Sequence, residues 1–251
     1  MIELDKIYNM DCMVGMQQIN DKSIDIVVTS PPYNVGLDYG GYDDNKDYNE
    51  YLSFMGGVFL ECFRVLKEDG RMCINIGDNK NGQIPTHSDF IQICKGIGFR
   101  VISTIIWNKN TISNRTSWGS FMSPSCPSFP CPFEYILMLG KTDKLIHRGV
   151  STIAKENFIN WAYGMWTFAP ENKGNGHPAP YPVELPVRCI EMLTYKGDVV
   201  LDPFMGSGTT AIAAHCTNRH FIGFELNKEY YDKAVERINI KRSQLTLDLF
   251  E

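Results

Sequence analysis

Two short segments hold residues able to do chemistry. The first is Thr29-Ser30-Pro31-Pro32-Tyr33-Asn34, which follows an apolar run. Its two prolines fix the backbone and remove two N–H donors, so local carbonyls stand as unpaired acceptors. Ser30 adds an accepting oxygen and Tyr33 an aromatic face. Such a loop can receive an amino group carried on a flat ring. On these residues alone, a rigid turn with a packed tyrosine accounts for it equally well.

The second segment is Val199-Val200-Leu201-Asp202-Pro203-Phe204-Met205-Gly206-Ser207-Gly208-Thr209-Thr210, which reads as strand, tight turn and helix start. Gly206 and Gly208 let backbone approach a ligand, and Thr209 can cap the following helix. A phosphate loop would need lysine after Gly208, and the dinucleotide spacing of glycines also fails. Asp202 at the strand end points instead to a cationic group. Glu225 ends the next strand about 20 residues on, where an acid holds ribose hydroxyls in doubly wound folds. A ribose and a cationic amino acid without phosphate fit S-adenosylmethionine. The plainer alternative is a helix cap beside a tight turn.

Elements that position these loops are legible along the chain. Ile24–Thr29 reads as a buried strand ending at Ser30. Residues 48–66 and 88–97 have helical spacing, with Gly70 as a stop signal after the first. Further strands fall at Arg71–Ile76, Phe99–Trp107, Phe133–Leu139, Val199–Leu201 and Phe221–Glu225, and helices at 183–195, 209–217 and 228–242. Residues 108–132 read as a loop, and 140–180 show no clean period. Alternating strands and helices imply an α/β fold, a mainly parallel sheet covered on both faces.

Together the two motifs resemble the amino-methylating DNA methyltransferases, which act on exocyclic amines of cytosine or adenine. The family hallmark, (Asp/Asn/Ser)-Pro-Pro-(Tyr/Phe), stands here as Ser30-Pro31-Pro32-Tyr33. Leu66-Lys67-Glu68-Asp69-Gly70 and Pro132-Phe133-Glu134-Tyr135-Ile136-Leu137 resemble further family segments. Catalytic motif first and cofactor motif last is the order of the family's beta group. The resemblance implies a Rossmann-like fold that binds S-adenosyl-L-methionine and needs no metal. It implies cofactor contacts from Asp11 and Cys12, Ser30, His177 and Pro178, Asp202 to Phe204, Gly206 to Thr209, and Glu225 with Leu226. The methyltransferase domain would span 1–139 and 176–251, with target recognition in 140–175.

The resemblance also implies a mechanism. Ser30 and the Pro31 carbonyl would accept the two amine hydrogens, and Tyr33 would stack on a flipped-out base. The ring face does the stacking, so Tyr33→Phe should be tolerated. Serine in the first position is similar to cytosine-N4 members, and aspartate is usual for adenine-N6 members. Adenine-N6 is the alternative, followed by methylation of RNA or of a protein amide. A homodimer and a cognate restriction endonuclease are the protein partners to look for.

Charge agrees with a polyanionic partner once its distribution is read. The chain's net charge is −5, yet residues 100–196 hold 10 Lys+Arg against 6 Asp+Glu, and all four tryptophans. Arg115, Lys141, Lys144, Arg148, Lys155 and Lys173 are the expected phosphate contacts, and Asn157 and Asn160 join Arg115 as expected base readers. Eight scattered cysteines without a Cys-x-x-Cys pair argue for reduced thiols in a cytoplasm. No apolar run approaches the ~18 residues of a membrane span.

Overall fold

The computed structural model describes residues 2–34, 36, 45–79, 82–110, 119–171 and 181–247, the last three by backbone alone. The described strands form one sheet. Its order is β1 (Lys6–Asn9), β8 (His220–Glu225), β7 (Val199–Asp202), β2 (Ile24–Thr29), β3 (Leu66–Ile76), β5 (Phe133–Gly140), β4 (Arg100–Asn108) and β6 (Met165–Thr167). Neighbours run parallel except at β5, which is antiparallel to both β3 and β4.

Alternation along the strands feeds two apolar layers, as period-two geometry requires. Met72, Ile74 and Ile76 of β3 face one layer and Cys73 the other. The first layer is completed by α1 (Cys12–Met16), α2 (Tyr48–Val65) and α3 (Thr86–Ile97). The second is completed by α5 (Glu184–Leu193), α6 (Thr209–Cys216) and α7 (Lys228–Leu247). Among the described residues, no helix is long and apolar enough to cross a membrane.

Three local outcomes differ from the sequence reading. Gly70 does not end a helix: α2 stops at Val65, and Gly70 lies inside β3. Pairing with β2 jumps there from Ile24–Leu66 to Ile26–Arg71, and a Cβ on Gly70 would meet Leu66 at 2.9 Å. The glycine therefore fits a bulge. The short elements β1 and α1 were not expected; Asp11 caps α1 by accepting from Met13 and Val14 N–H at 2.9 and 3.1 Å. Within 140–175, helix α4 (Lys155–Trp161) and strand β6 emerge, and β6 extends the main sheet beside β4 with Trp166 buried.

Residues 141–150 cross the sheet at the amino ends of β2, β3 and β7, held by His147. Its Nδ1 lies 2.9 Å from Asp69, and its Nε2 lies 3.2 Å from Asp198 and 3.9 Å from Asp25. Asp25, His147 and Asp198 bring ligand atoms within 4.8 Å of one another, a grouping no sequence spacing reveals. Lys67 and the Val199 N–H already bond Asp25, and the Tyr195 N–H bonds Asp198, so the cluster serves as a latch. Burial disfavours a charged His147, but Asp69 and Asp198 outweigh it and raise its pKa above 6.5. A raised pKa stabilises the fold fully below about 6.5, and that gain fades as pH climbs through the folded value. The gap in thermal midpoint between wild type and His147→Gln should therefore be widest near pH 6 and narrow above it. A gap constant from pH 6 to 9 would show the imidazole is not charged in the fold.

Candidate active site

Chain connections from β2 lead toward β3, and those from β7 lead toward β8 in the opposite direction. In open α/β sheets, ligand crevices open at the carboxyl ends of strands where the order reverses in this way. A cleft of about 880 Å³, solvent at its mouth included, lies there. The expected residues Ser30, Pro31, Pro32 and Tyr33 form one wall, directly after β2. Pro203, Phe204, Gly206, Ser207 and Thr209 form another, after β7, and Glu225 and Leu226 a third, after β8. Asp11 and Cys12 close the fourth side. Met205, inside the glycine-turn motif, lines the cleft too, and so do Met10, Phe54, Tyr181, Phe224 and Tyr230, none of them singled out as contacts from the sequence. Tyr181 had a signal, since it sits in the Pro-rich run beside His177; the others read as ordinary apolar residues. His177 and Pro178 lie outside the described residues.

The proline loop is held from behind. The Tyr51 hydroxyl donates to the Pro32 carbonyl at 2.7 Å, and Asn79 donates to the Tyr33 carbonyl at 2.9 Å. Asn34 exchanges two hydrogen bonds with the Lys46 backbone. Among the described residues, no bond is made to the Pro31 carbonyl. Of the carbonyls of Pro31, Pro32 and Tyr33, only that of Pro31 is thus left open among the described residues.

Tyr33 departs from expectation. Its hydroxyl is buried in a polar network, where it accepts from Ser30 Oγ at 3.2 Å and Asn75 Nδ2 at 2.5 Å, and donates to Glu134 Oε2 at 3.1 Å. Asn75 also donates to that carboxylate at 2.6 Å, and Lys109 pairs with its other oxygen. Burial and the Glu134 charge drive the Tyr33 pKa well above its ordinary value, so the phenol keeps its proton. The hydroxyl is engaged, and the expected tolerance of Tyr33→Phe does not fit this arrangement. Asn75, Lys109 and Glu134 escaped sequence reasoning. The signal was faint: Asn75 and Glu134 each interrupt an apolar stretch within a strand, where burial demands a partner.

The glycine turn also departs in detail. Asp202 is fully buried and does not line the cleft. Its carboxylate accepts from Thr29 at 2.7 Å, Thr210 at 2.5 Å, the Phe204 N–H at 3.0 Å and Tyr181 at 3.4 Å. Burial raises its pKa to about 6 despite these donors. A buried carboxylate so placed gains from a cation bound in front of it. Gly208, not Thr209, is the cap residue of α6 and has φ +86°. A Cβ on Gly208 would stand 3.0 Å from that of Ala234, so this glycine admits α7 and does not touch the cleft. Gly206, at φ +52°, does line it, and its N–H donates to Glu225 at 2.8 Å. Glu225 accepts from Asn227 N–H through its other oxygen, and burial raises its pKa.

Residues 24–236 match the family of DNA methylases that act on N6 or N4 amines. The chain belongs to this family. It is 45% identical over 171 residues to the type II methyltransferase M.MjaVI of Methanocaldococcus jannaschii, covering 63% of this chain and 88% of that one. It is 32% identical over 229 residues to the type II methyltransferase M.HpaI of Haemophilus parainfluenzae, covering 90% of this chain and 71% of that one. Among solved structures, it is similar to a DNA modification methylase of Thermus thermophilus, TTHA0409, complexed with S-adenosyl-L-methionine. That match has a TM-score of 0.76 at 31% identity and covers 94% of this chain and 93% of the other.

The methylase's basic residues are not gathered at the cleft. β5 runs against its neighbours, so the chain leaves it at the far end of the sheet. Lys141, Lys144 and Arg148 follow there, on the segment pinned by His147. Lys141 donates to the Leu66 carbonyl at 2.6 Å and lies 4.4 Å from the Phe63 ring centre, its charge disfavoured by burial. These three residues therefore lie at the end of the sheet opposite the cleft. Lys155 and Asn160 are exposed and Asn157 half-buried on α4, whereas Arg115 and Lys173 lie outside the described residues.

Proposed function

We propose that this methylase transfers a methyl group from S-adenosyl-L-methionine to the exocyclic N4 amine of cytosine in a short duplex site. The observation that carries this reading is one cleft bringing the Ser30 oxygen and the open Pro31 carbonyl opposite the glycine turn and Glu225. The residues suit the donor. Glu225 would hold the ribose hydroxyls and Asp11 the adenine side, and the buried Asp202 would favour the amino acid's positive end from behind Pro203–Gly206. His177 and Pro178 would approach the methionine end. When bound, the donor's sulfonium supplies an electrophilic methyl carbon.

The amine lone pair of cytosine is delocalised into its ring and is weakly nucleophilic. Ser30 Oγ and the Pro31 carbonyl would accept its two hydrogens and turn the lone pair out of the ring plane. The Tyr33 face would hold the base. Catalysis then comes from positioning and from acceptors placed where positive charge develops on nitrogen. The base must leave the duplex stack to reach Ser30. Ser30 in the first hallmark position supports cytosine. One observation favours adenine-N6 as a second reading: Glu134, joined to Ser30 through Tyr33, supplies the carboxylate that aspartate carries in adenine enzymes. Mass spectrometry of nucleosides from unmethylated DNA treated with protein and donor decides between them. N4-methylcytosine is expected, and N6-methyladenine alone would overturn the choice of base.

The loop between β4 and β5 leaves and re-enters the sheet at the cleft end, and there Phe121, Met122 and Phe129 are exposed. This end is the proposed DNA face, with base reading in the segment from 140 to 175 limited to the part that returns to the cleft. The names of its relatives support a restriction-modification setting; a cognate endonuclease and a second copy of the chain are the protein partners we propose for it. Replacing Lys141, Lys144 and Arg148 together by glutamine should leave the salt dependence of DNA binding unchanged. Three lost phosphate contacts would flatten the logarithmic slope by about 2.7, and a fluorescence titration across salt concentrations resolves that difference.

A further inference from the structure

We propose that Ser30, Tyr33 and Glu134 form a one-way proton relay that drains the target amine, with Lys109 balancing the charge at its end. The inference rests on the amine-methylating reading above and adds the fate of the proton. Ser30 Oγ donates to the Tyr33 oxygen at 3.2 Å, and Tyr33 donates onward to Glu134 Oε2 at 3.1 Å. Ser30's hydrogen is thus engaged by Tyr33, which leaves a lone pair of Ser30 for an amine hydrogen. The chain ends on a carboxylate whose other oxygen is paired with Lys109. Asn75 Nδ2 bridges the Tyr33 oxygen and Glu134, locking their separation. The amide oxygen of Asn75 is buried without a partner among the described residues. An imperfectly satisfied buried network of this kind is characteristic of functional sites, since a purely structural one is better closed.

The chemistry needs such a sink. As the amine nitrogen bonds the methyl carbon, the carbon–sulfur electron pair stays with sulfur and the nitrogen carries one proton too many. That N–H bond breaks toward Ser30 Oγ. The serine's own proton moves to the Tyr33 oxygen, and the tyrosine's proton moves to Glu134. The base is left neutral with one methyl and one hydrogen on nitrogen, Ser30 and Tyr33 are restored, and Glu134 ends as a carboxylic acid. Neither a serine nor a tyrosine hydroxyl can hold a second proton at neutral pH, so each passes one on as it receives one. Glu134 touches no reacting atom and acts through Tyr33; it is a positioning residue in that sense.

The groups that face Glu134 are Tyr33 from the β2 loop, Asn75 from β3 and Lys109 beyond β4. The pair His87–Asp78 stands past Tyr135, on which His87 stacks at 3.8 Å between ring centres. The test is the pH profile of single-turnover methyl transfer to plasmid DNA from cells lacking DNA methylation, with saturating labelled donor. Wild type should lose rate at low pH as one proton is taken up. Glu134→Gln should be about a hundredfold slower at neutral pH, without that low-pH limb, while donor affinity and thermal midpoint stay near wild type. Lys109→Met should move the limb to higher pH, and it decides the matter if Glu134→Gln fails to fold. A Glu134→Gln rate equal to wild type overturns the relay. So does a slow variant that keeps the limb, because it would mark a bonding role only. Wild type that binds the donor but methylates no DNA would overturn the functional reading itself and the relay with it.

Discussion

Ser30→Ala should lower single-turnover methyl transfer by about 10²-fold or more while donor affinity changes far less. In the proposed mechanism the lost oxygen would be the acceptor that strengthens as the amine nitrogen becomes tetrahedral, so the rate constant should fall more than the Michaelis constant rises. Tyr33→Ala should fall at least as far, because it removes both the ring that holds the base and the hydroxyl that anchors Ser30. Tyr33→Phe separates the two roles. It keeps the ring but strands Asn75 and Glu134, so it should be slower than wild type and less stable by about 1–3 kcal/mol. Isothermal calorimetry with the donor and rapid-quench measurement of labelled product distinguish these outcomes. Full activity in both alanine variants would remove the Ser-Pro-Pro-Tyr loop from the chemistry.

Asp202→Ala should be the most damaging single change outside that loop. It leaves Thr29, Thr210, Tyr181 and the Phe204 N–H facing an empty space in a fully buried position. Destabilisation on the order of 3 kcal/mol follows from orphaned donors alone, which in a chain of this size corresponds to roughly 6–12 °C in thermal midpoint. Donor affinity should drop more than tenfold, since the Phe204 bond shapes the turn whose backbone lines the cleft. Asp202→Asn preserves part of the hydrogen bonding and loses the charge. It should recover most of the stability but little of the affinity. Scanning calorimetry with and without donor checks both, and an unchanged midpoint in Asp202→Ala would show that the donors find other partners.

The sequence made both loops legible because each is contiguous and each follows a strand of evident apolar character. Glu225 could be placed by its distance from the glycine turn along the chain. What the sequence concealed was assembled from separate strands. Asn75, Lys109 and Glu134 lie on β3, beyond β4 and on β5, and only their side-by-side packing reveals a shared network with Tyr33. Asp202 was recognisable as an acid at a strand end, but its burial behind the cleft depends on Thr29 and Tyr181. The basic middle of the chain was legible as a charge balance, but where its residues lie in the fold was not. A single reversed strand sends Lys141, Lys144 and Arg148 to the end of the sheet away from the cleft, and no local pattern announces that reversal. The helix α4 and strand β6 are too short to leave a period of their own.

Thr29 and Asp202 meet across 173 residues, so the two halves of the cleft are made at very different times. At about 5–20 residues per second, a ribosome needs roughly 9–35 s to travel from one to the other. Once β3 is in place, β2 has a neighbour on one side only until β7 is made, leaving an open edge at Ile26 and Val27 that can pair with a passing strand. An unfinished chain therefore has no pocket for a methyl donor and cannot modify DNA. Its hazard is instead aggregation along that edge, and it lasts until β7 arrives.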